Sequence, residues 1–380
     1  MGALDGLRIA DFSWVGAGPR ATKDLADNGA TVIKIESRKR PDLGRLSPPF
    51  AGGKKDLDGS AFFAQTNTSK KSVTINLSRP EGVEIAKKLV AWADVVVENF
   101  GPGYMDRIGL DYETLKTIKP DIILASVSVA GRTGPMAGFR GYGNSAAAHS
   151  GHASLTGWPG RDPHMPPLAY GDVVAPMFAT VAILAALEHR ARTGEGQHLD
   201  ISQIEPMVHV IADLYARADM PDKAGNEDAD YLLHGVFACT GEDRWIAIAI
   251  DNSDQLTALA GALDISMPVD EAGVAAAAAR FDAAALAETL GMLGIAAAPV
   301  LDGRDVAKSE ELAAAGHFVA LEHPILGDAR MPAPPYQMSE TPWTMARAPL
   351  LGEHNREVLT EIAGLSTADI DLLEREGVLA

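Results

Sequence analysis

The sequence predicts an α/β protein, with a parallel-sheet large domain and a smaller α+β domain. Three observations carry this reading. Strand-like and helix-like runs alternate through the first half of the chain; a hairpin-like pair of strands then breaks the alternation; and 380 residues exceed the size at which single cores stop growing.

Gly6 to Phe12 reads as a strand, Pro19 to Asn28 as a helix and Thr31 to Ile35 as a second strand, a βαβ unit. Ser72 to Leu77 is extended, and Pro80 to Trp92 is helical with Val83, Ala86, Val90 and Ala93 on one face. Asp94 to Glu98 is a strand, Asp111 to Ile118 a helix and Asp121 to Val127 a strand. A long helix from Val173 to Arg192, the turn Thr193-Gly-Glu-Gly196 and the strand Gln197 to Ser202 close this region. Such alternation calls for a parallel sheet covered on both faces. His234 to Cys239 and Arg244 to Ile250, joined by Thr240-Gly-Glu-Asp243, then predict a hairpin. An Ala-rich helix follows from about Ala272 to Leu290. Pro332, Pro334, Pro335, Pro342 and Pro349 mark an extended connector before helices at His354 to Ala363 and Thr367 to Glu376. The expected division is 1–224 for the large domain, 225–320 for the small one and 321–380 for a segment returning to the large domain.

Composition narrows the function. With 33 basic and 51 acidic side chains the net charge is −18, which disfavours nucleic acid and anionic membranes as partners. Cys239 is the sole cysteine, so no intrachain disulfide and no thiolate metal cage can form, and a reducing, cytoplasmic setting is expected. Asp5, Asp11, Asp24 and Asp27 leave no basic stretch ahead of an apolar signal core. The most apolar run, Val173 to Leu187, is interrupted by Pro176 and is short for a membrane span, so it reads as a buried helix. No metal site is expected: no Glu follows His149, and a third ligand is lacking.

Gly16-Ala-Gly18-Pro-Arg-Ala21, with Glu36 ending the next strand, approaches a dinucleotide fingerprint. Ser13-Trp-Val15 intervene after the strand, however, and Pro19 removes one helix amide. The glycines either serve phosphate or merely permit a tight turn.

A more specific signal comes from many blocks in one order. They include Leu4-Asp-Gly-Leu-Arg-Ile-Ala-Asp-Phe12, Asn28-Gly-Ala-Thr-Val-Ile-Lys-Ile-Glu36, Ala93-Asp-Val-Val-Val-Glu-Asn-Phe-Gly-Pro-Gly103, Tyr170-Gly-Asp172, Thr193-Gly-Glu-Gly-Gln197 and Leu351-Gly-Glu-His354. Across nearly the whole chain these resemble the family III CoA-transferases, which include formyl-CoA transferase, carnitine CoA-transferase and, as a divergent branch, α-methylacyl-CoA racemase. The resemblance implies a Rossmann-like large domain holding CoA and an interlocked homodimer, or a heterodimer with a paralogue. It puts Val15, Gly16 and Ala17 against CoA, Arg38 near the adenosine phosphate end, and Asn99, Phe100, Arg107 and Arg140 around the adenine and phosphates. Arginine forks suit a polyanion in an acidic protein. Within Ser37-Arg-Lys-Arg40 any basic member could make the contact.

The resemblance makes Asp172 the nucleophile; by itself the segment Gly171-Asp172-Val-Val also fits an N-cap, and both can hold. CoA transfer between acids needs acyl activation stored in the site, first as a mixed anhydride and then as an aspartyl-CoA thioester. Amides at the start of the following helix could serve a developing oxyanion. No permanent cofactor is implied; an acyl-CoA donor and a carboxylic acid acceptor are the partners. Tyr142, Asn144, His149 and His152 are candidates for the acyl pocket, although loop hydrogen bonding or packing explains the two histidines as well. A 2-methylacyl-CoA racemase is disfavoured, because its Gly-His-Asp segment falls on Tyr142 and Gly143 here. A non-catalytic CoA-binding subunit and a nicotinamide dehydrogenase stand as further alternatives. No consecutive glycines occur between 225 and 320, which disfavours an oxalate enzyme. Thr240 to Ala249 and Ala348 to His354 look more like the branch using succinyl-CoA and an aryl-substituted succinate such as benzylsuccinate.

Overall fold

Strands buried on both faces must be apolar along their length, and the centre of this chain meets that condition. The computed structural model describes residues 2–216 and 222–380. Six parallel strands form its main sheet: β1 (Arg8–Asp11), β2 (Thr31–Glu36), β3 (Lys71–Thr74), β4 (Val95–Glu98), β5 (Ile123–Ser128) and β6 (His198–Ser202). Their order is β3-β2-β1-β4-β5-β6, the doubly wound arrangement. The strand period of two divides the side chains between two layers. Ala10, Ile33, Ile35, Val73, Val96 and Leu124 face the helix α2 (Pro80–Trp92); Ile9, Val32, Val95, Val97 and Ile123 face α1 (Ala17–Asp27) and α5 (Gly171–Thr193). Between α2 and α5 in the chain lie α3 (Tyr112–Ile118), capped by the Asp111 side chain, and α4 (Gly143–His149).

The C-terminal helices α9 (Asn355–Glu361) and α10 (Thr367–Arg375) join the α2 layer through Val358, Leu359 and Ile370. They also protect an edge. Thr74 N donates to Asn355 Oδ1 (2.8 Å) and Asn76 N to Val378 O (2.7 Å), so β3 does not present an open ladder.

The large unit comprises the chain up to Ala153, Met165–Ala216 and Ala315–Ala380. It includes a hairpin, β10 (Phe318–His323) with β11 (Gly327–Pro332), across the position 320 that the sequence reading took as a boundary. The small unit takes Ser154–His164, assigned from sequence to the large domain, and the chain as far as Ala314. Its sheet is antiparallel: β7 (Leu233–Ala238), β8 (Trp245–Ile250) and β9 (Ala296–Val300). One face of β7 and β8 packs on α6 (Ser253–Leu263), α7 (Glu271–Ala278) and α8 (Ala283–Met292). The single Ala-rich helix expected from Ala272 to Leu290 is thus two. Asp282 breaks it, because its carboxylate accepts from Ala284 N and Ala285 N and starts a new helix.

α5 also differs from expectation. Its inner face (Val174, Ala175, Ala179, Ile183, Ala186) is buried, but Met177, Phe178, Val181 and Leu184 lie exposed on the other side. Length and mean hydropathy (1.6) alone would allow it to cross a membrane, yet the inner face is committed to α1 and the sheet.

Gly196, between α5 and β6, shows how closely the layers approach. A Cβ there would stand 2.1 Å from Ile122 O and 2.4 Å from Asp121 C, both backbone atoms that cannot move aside. Gly196→Ala is expected to cost about 1–3 kcal/mol by overpacking, measured as a lower urea midpoint at unchanged slope.

Candidate active site

Strand order reverses between β1 and β4, and a crevice opens outside their carboxyl ends. Asn99, directly after β4, stitches the two sides: its Oδ1 accepts from Trp14 N and its Nδ2 donates to Trp14 O, both at 2.7 Å. The crevice is a cavity of about 440 Å³. At one end Trp14 meets Phe100 edge-on at 5.4 Å, Phe100 meets Tyr104 at 4.5 Å, and the guanidiniums of Arg40 and Arg107 lie 5.8 Å from the rings of Trp14 and Tyr104. Arg40, Arg107 and Arg140 all line the cavity, and none pairs with a carboxylate among the described residues. Flat aromatic faces beside unpaired guanidiniums suit a ligand that carries a base and phosphates.

Asp172 reaches the same cavity from the first turn of α5. Two glycines make room for it. A Cβ on Gly143 would stand 2.6 Å from Asp172 N, and one on Gly16 2.9 Å from Asp172 Cγ. The carboxylate accepts from Gly143 N (3.3 Å) and from Gln203 Nε2 (3.2 Å). Gln203 is anchored in turn by its own amide, which donates to Ser128 O and Val129 O at the end of β5. Burial raises the Asp172 pKa above the ordinary carboxylate value, against the opposing pull of the Gly143 amide, Arg20 and Gln203.

Two expectations about Asp172 are corrected here. It is not the helix cap: Tyr170 holds that position, and the Asp172 oxygens turn away from the helix amides to Gly143 and Gln203. Nor do the next amides face an oxyanion, since those of Asp172, Val173 and Val174 bond back to Ala169 O and Tyr170 O.

Of the residues predicted from sequence, Val15, Gly16, Asn99, Phe100, Arg107 and Arg140 line the same cavity as Asp172. Ala17 is buried behind Gly16 and does not line it. Arg38 does not line it either; its Nη2 donates to Leu351 O at 3.0 Å, and Arg40 is the member of the basic run that lies at the cavity. Tyr142 lines it, but His149 bonds Ser145 O and packs on Phe139, while His152 bonds Ser150 Oγ. Gln203 was missed, as was the aromatic contribution of Trp14 and Tyr104. Gln203 directly follows β6, a place that marks it only once the position of that strand at the crevice is known. Gly18 packs against Ser13, where a Cβ would stand 2.2 Å from Ser13 Cβ, so that glycine serves the fit of the turn.

A doubly wound large unit with an aromatic and guanidinium-lined crevice and a single desolvated carboxylate defines a class of acyl- or nucleotide-handling α/β enzymes. Comparison fixes the family: residues 4–355 match CoA-transferase family III, and the chain belongs to it. The chain is 32% identical to succinyl-CoA:glutarate CoA-transferase of Mus musculus, covering 100% of this chain and 91% of that protein. It is 31% identical to succinate–glutarate CoA-transferase of Agrobacterium fabrum, covering 94% and 95%. Among solved structures, a CaiB/BaiF family protein from Brucella suis superposes with a TM-score of 0.87 at 30% identity, covering 95% of this chain and 99% of that one. The protein is thus a CoA-transferase.

The raised pKa of Asp172 has a consequence for stability. A carboxylate that ionises less readily in the folded state destabilises the fold at any pH above its folded pKa; the penalty disappears below the unfolded value of 3.8. Asp172→Asn is therefore expected to melt at a higher temperature than the wild type at pH 7, with the gap closing as the pH is lowered towards 3.8. A melting series over pH measures this.

Proposed function

We propose that the chain moves CoA from succinyl-CoA to a dicarboxylate acceptor through covalent intermediates on Asp172. The observation that carries the reading is this carboxylate: partly desolvated, free of any ion pair among the described residues, and lining one cavity with aromatic rings and guanidiniums that suit a nucleotide. Asp172 Oδ attacks the thioester carbonyl, the C–S bond breaks, and CoA leaves as thiolate from a mixed anhydride. The thiolate then attacks the Asp172 carbonyl, giving aspartyl-CoA thioester and releasing succinate. The acceptor carboxylate attacks that thioester to give a second anhydride with thiolate again released. Attack of the thiolate on the acceptor's carbonyl yields the new acyl-CoA and returns Asp172 as carboxylate.

Phe100, Trp14 and Tyr104 would stack the adenine, and Arg40, Arg107 and Arg140 would hold the phosphates. Tight closure around Asp172 serves the intermediates, since water hydrolyses anhydride and thioester alike. Support for a dicarboxylate comes from the named activities of the mouse and Agrobacterium relatives. An aryl-substituted succinate is a dicarboxylate too, and the aromatic lining would accommodate its ring. The exposed apolar face of α5 supports assembly as an interlocked dimer. A racemase would need an acid and a base about the α-carbon, whereas Asp172 is the one carboxylate and no histidine stands among the lining residues.

Incubation with succinyl-CoA followed by hydroxylamine or borohydride is expected to mark Asp172, read by peptide mass spectrometry. A mark elsewhere sinks the mechanism. Asp172→Asn should retain CoA binding while losing transfer by about 10³-fold or more. A panel of glutarate, benzylsuccinate, isotopically labelled succinate and acetate as acceptors is expected to favour the first three; preference for acetate overturns the dicarboxylate reading.

A further inference from the structure

Val15 breaks a local rule. It is β-branched, yet its φ of 65° lies in the left-handed region that such residues avoid. It precedes Gly16, the residue that packs on the Asp172 carboxylate. Conformations of this kind persist only where the surroundings over-determine them.

Here the surroundings are two buried charges. Val15 N donates to Asp42 Oδ1 at 2.8 Å, Asp42 Oδ2 pairs with Lys34 Nζ at 2.8 Å, and Lys34 Nζ donates to Ser13 O at 2.7 Å. Both side chains are wholly buried. One ion pair therefore grips the turn at Ser13 and at Val15, while Asn99 holds Trp14 between them. Asp42 is itself fixed, because Gly44 N donates to the same Oδ1 at 2.8 Å. Neither Lys34 nor Asp42 lines the cavity.

The geometry points to the Lys34–Asp42 pair as a positioning device for CoA transfer: it holds Val15 in a strained left-handed turn, and so keeps Gly16 seated against Asp172. Lys34 sits on β2 and Asp42 in the loop after it, so the device couples the neighbouring strand to the turn that follows β1. The inference rests on Asp172 as the reacting group.

The test uses the full-length protein in six forms: the intact pair and two charge variants, in two backgrounds. Asp42→Ala removes the carboxylate paired with Lys34 and leaves it only the more distant Asp11 and Glu36, whereas Lys34→Met/Asp42→Ala removes both charges of the pair. Each is made with Val15 and with Val15→Gly, since glycine adopts this turn without strain. Folded fraction is read by circular dichroism, and kcat and KM for CoA transfer are measured per folded molecule. Loss of the pair is expected to lower kcat by about ten-fold with less change in KM for the acyl-CoA, and Val15→Gly is expected to restore most of that loss.

A purely structural pair would lower the melting temperature, leave kcat of the folded molecules in place and gain nothing from Val15→Gly; that result overturns the proposal. If the charge variants fold only when Val15→Gly is present, the assignment stands. If they fold in neither background, the pair is a folding requirement independent of Val15 and the proposal fails. Labelling of wild-type Asp172 in the same series separates this outcome from failure of the nucleophile assignment, because the Val15→Gly rescue is read from transfer itself.

Discussion

The reversal of strand order between β1 and β4 governs the rest of the large unit. Two strands that run side by side but send their chains onward in opposite directions leave their carboxyl ends uncovered. Much of the cavity is gathered on that opening: the turn after β1, Asn99 after β4, Ser128 and Val129 at the end of β5, and Gln203 after β6. The segments from Tyr104 to Arg107 and from Phe139 to Tyr142 add to the lining, and α5 brings Asp172. The paired hydrogen bonds between Asn99 and Trp14 keep the crevice from either closing or splaying.

Beneath this opening the sheet changes character. β1, β2 and β4 each end on a buried acid, Asp11, Glu36 and Glu98, and β2 also carries the buried Lys34 two residues before its end. Each acid meets a cation: Asp11 pairs with Lys70 at 3.0 Å, Glu36 with Arg45 at 2.8 Å and Glu98 with Arg132. Burial would drive Lys34 towards neutrality, but Asp42, Asp11 and Glu36 around it raise its pKa instead. Such pairs contribute little net stability compared with apolar packing, and removing one partner is costly. Their placement under the site, rather than in the apolar midsection, is consistent with a role in fixing the loops that follow each strand.

Much of this architecture was legible in the sequence, because it rests on local signals. Pro80 to Trp92 forms the helix its periodicity predicts, and Asp111 caps α3 as Asp ahead of a helical run commonly does. The misses have two causes. Asp282 starts a new helix by a local cap set among strong helix formers, and the outer face of α5 is apolar without being buried, which no local pattern reveals. In the site, Val15, Gly16, Asn99, Phe100, Arg107 and Arg140 came through resemblance and by position. Gln203 did not, since a glutamine after a strand carries no signal until the strand's place at the crevice is known. Arg38 and Arg40 are two residues apart on one exposed loop, and only the three-dimensional course of that loop separates the one tied to Leu351 O from the one beside Trp14.

The contrast between Asp11 and Asp172 bears on the proposed mechanism, because the two carboxylates are held in very different ways. Burial alone would raise both. Asp11 is met by the ammonium groups of Lys70 and Lys34 and by the hydroxyls of Ser13 and Thr22, which together hold it down to about 2. A carboxylate bound that firmly is a poor nucleophile, because its lone pairs are committed. Asp172 has only the Gly143 amide and the Gln203 side chain, at 3.3 and 3.2 Å, with Arg20 acting through space, and its pKa stays raised. Two long neutral hydrogen bonds aim the carboxylate without quenching it. The glycines on either side, Gly16 and Gly143, leave room for the Asp172 side chain, since a Cβ on either would stand 2.9 Å from its Cγ. In the proposed mechanism this partial desolvation and sparse pairing suit Asp172 to attack a thioester, and the raised pKa places a cost in folding stability on the same residue.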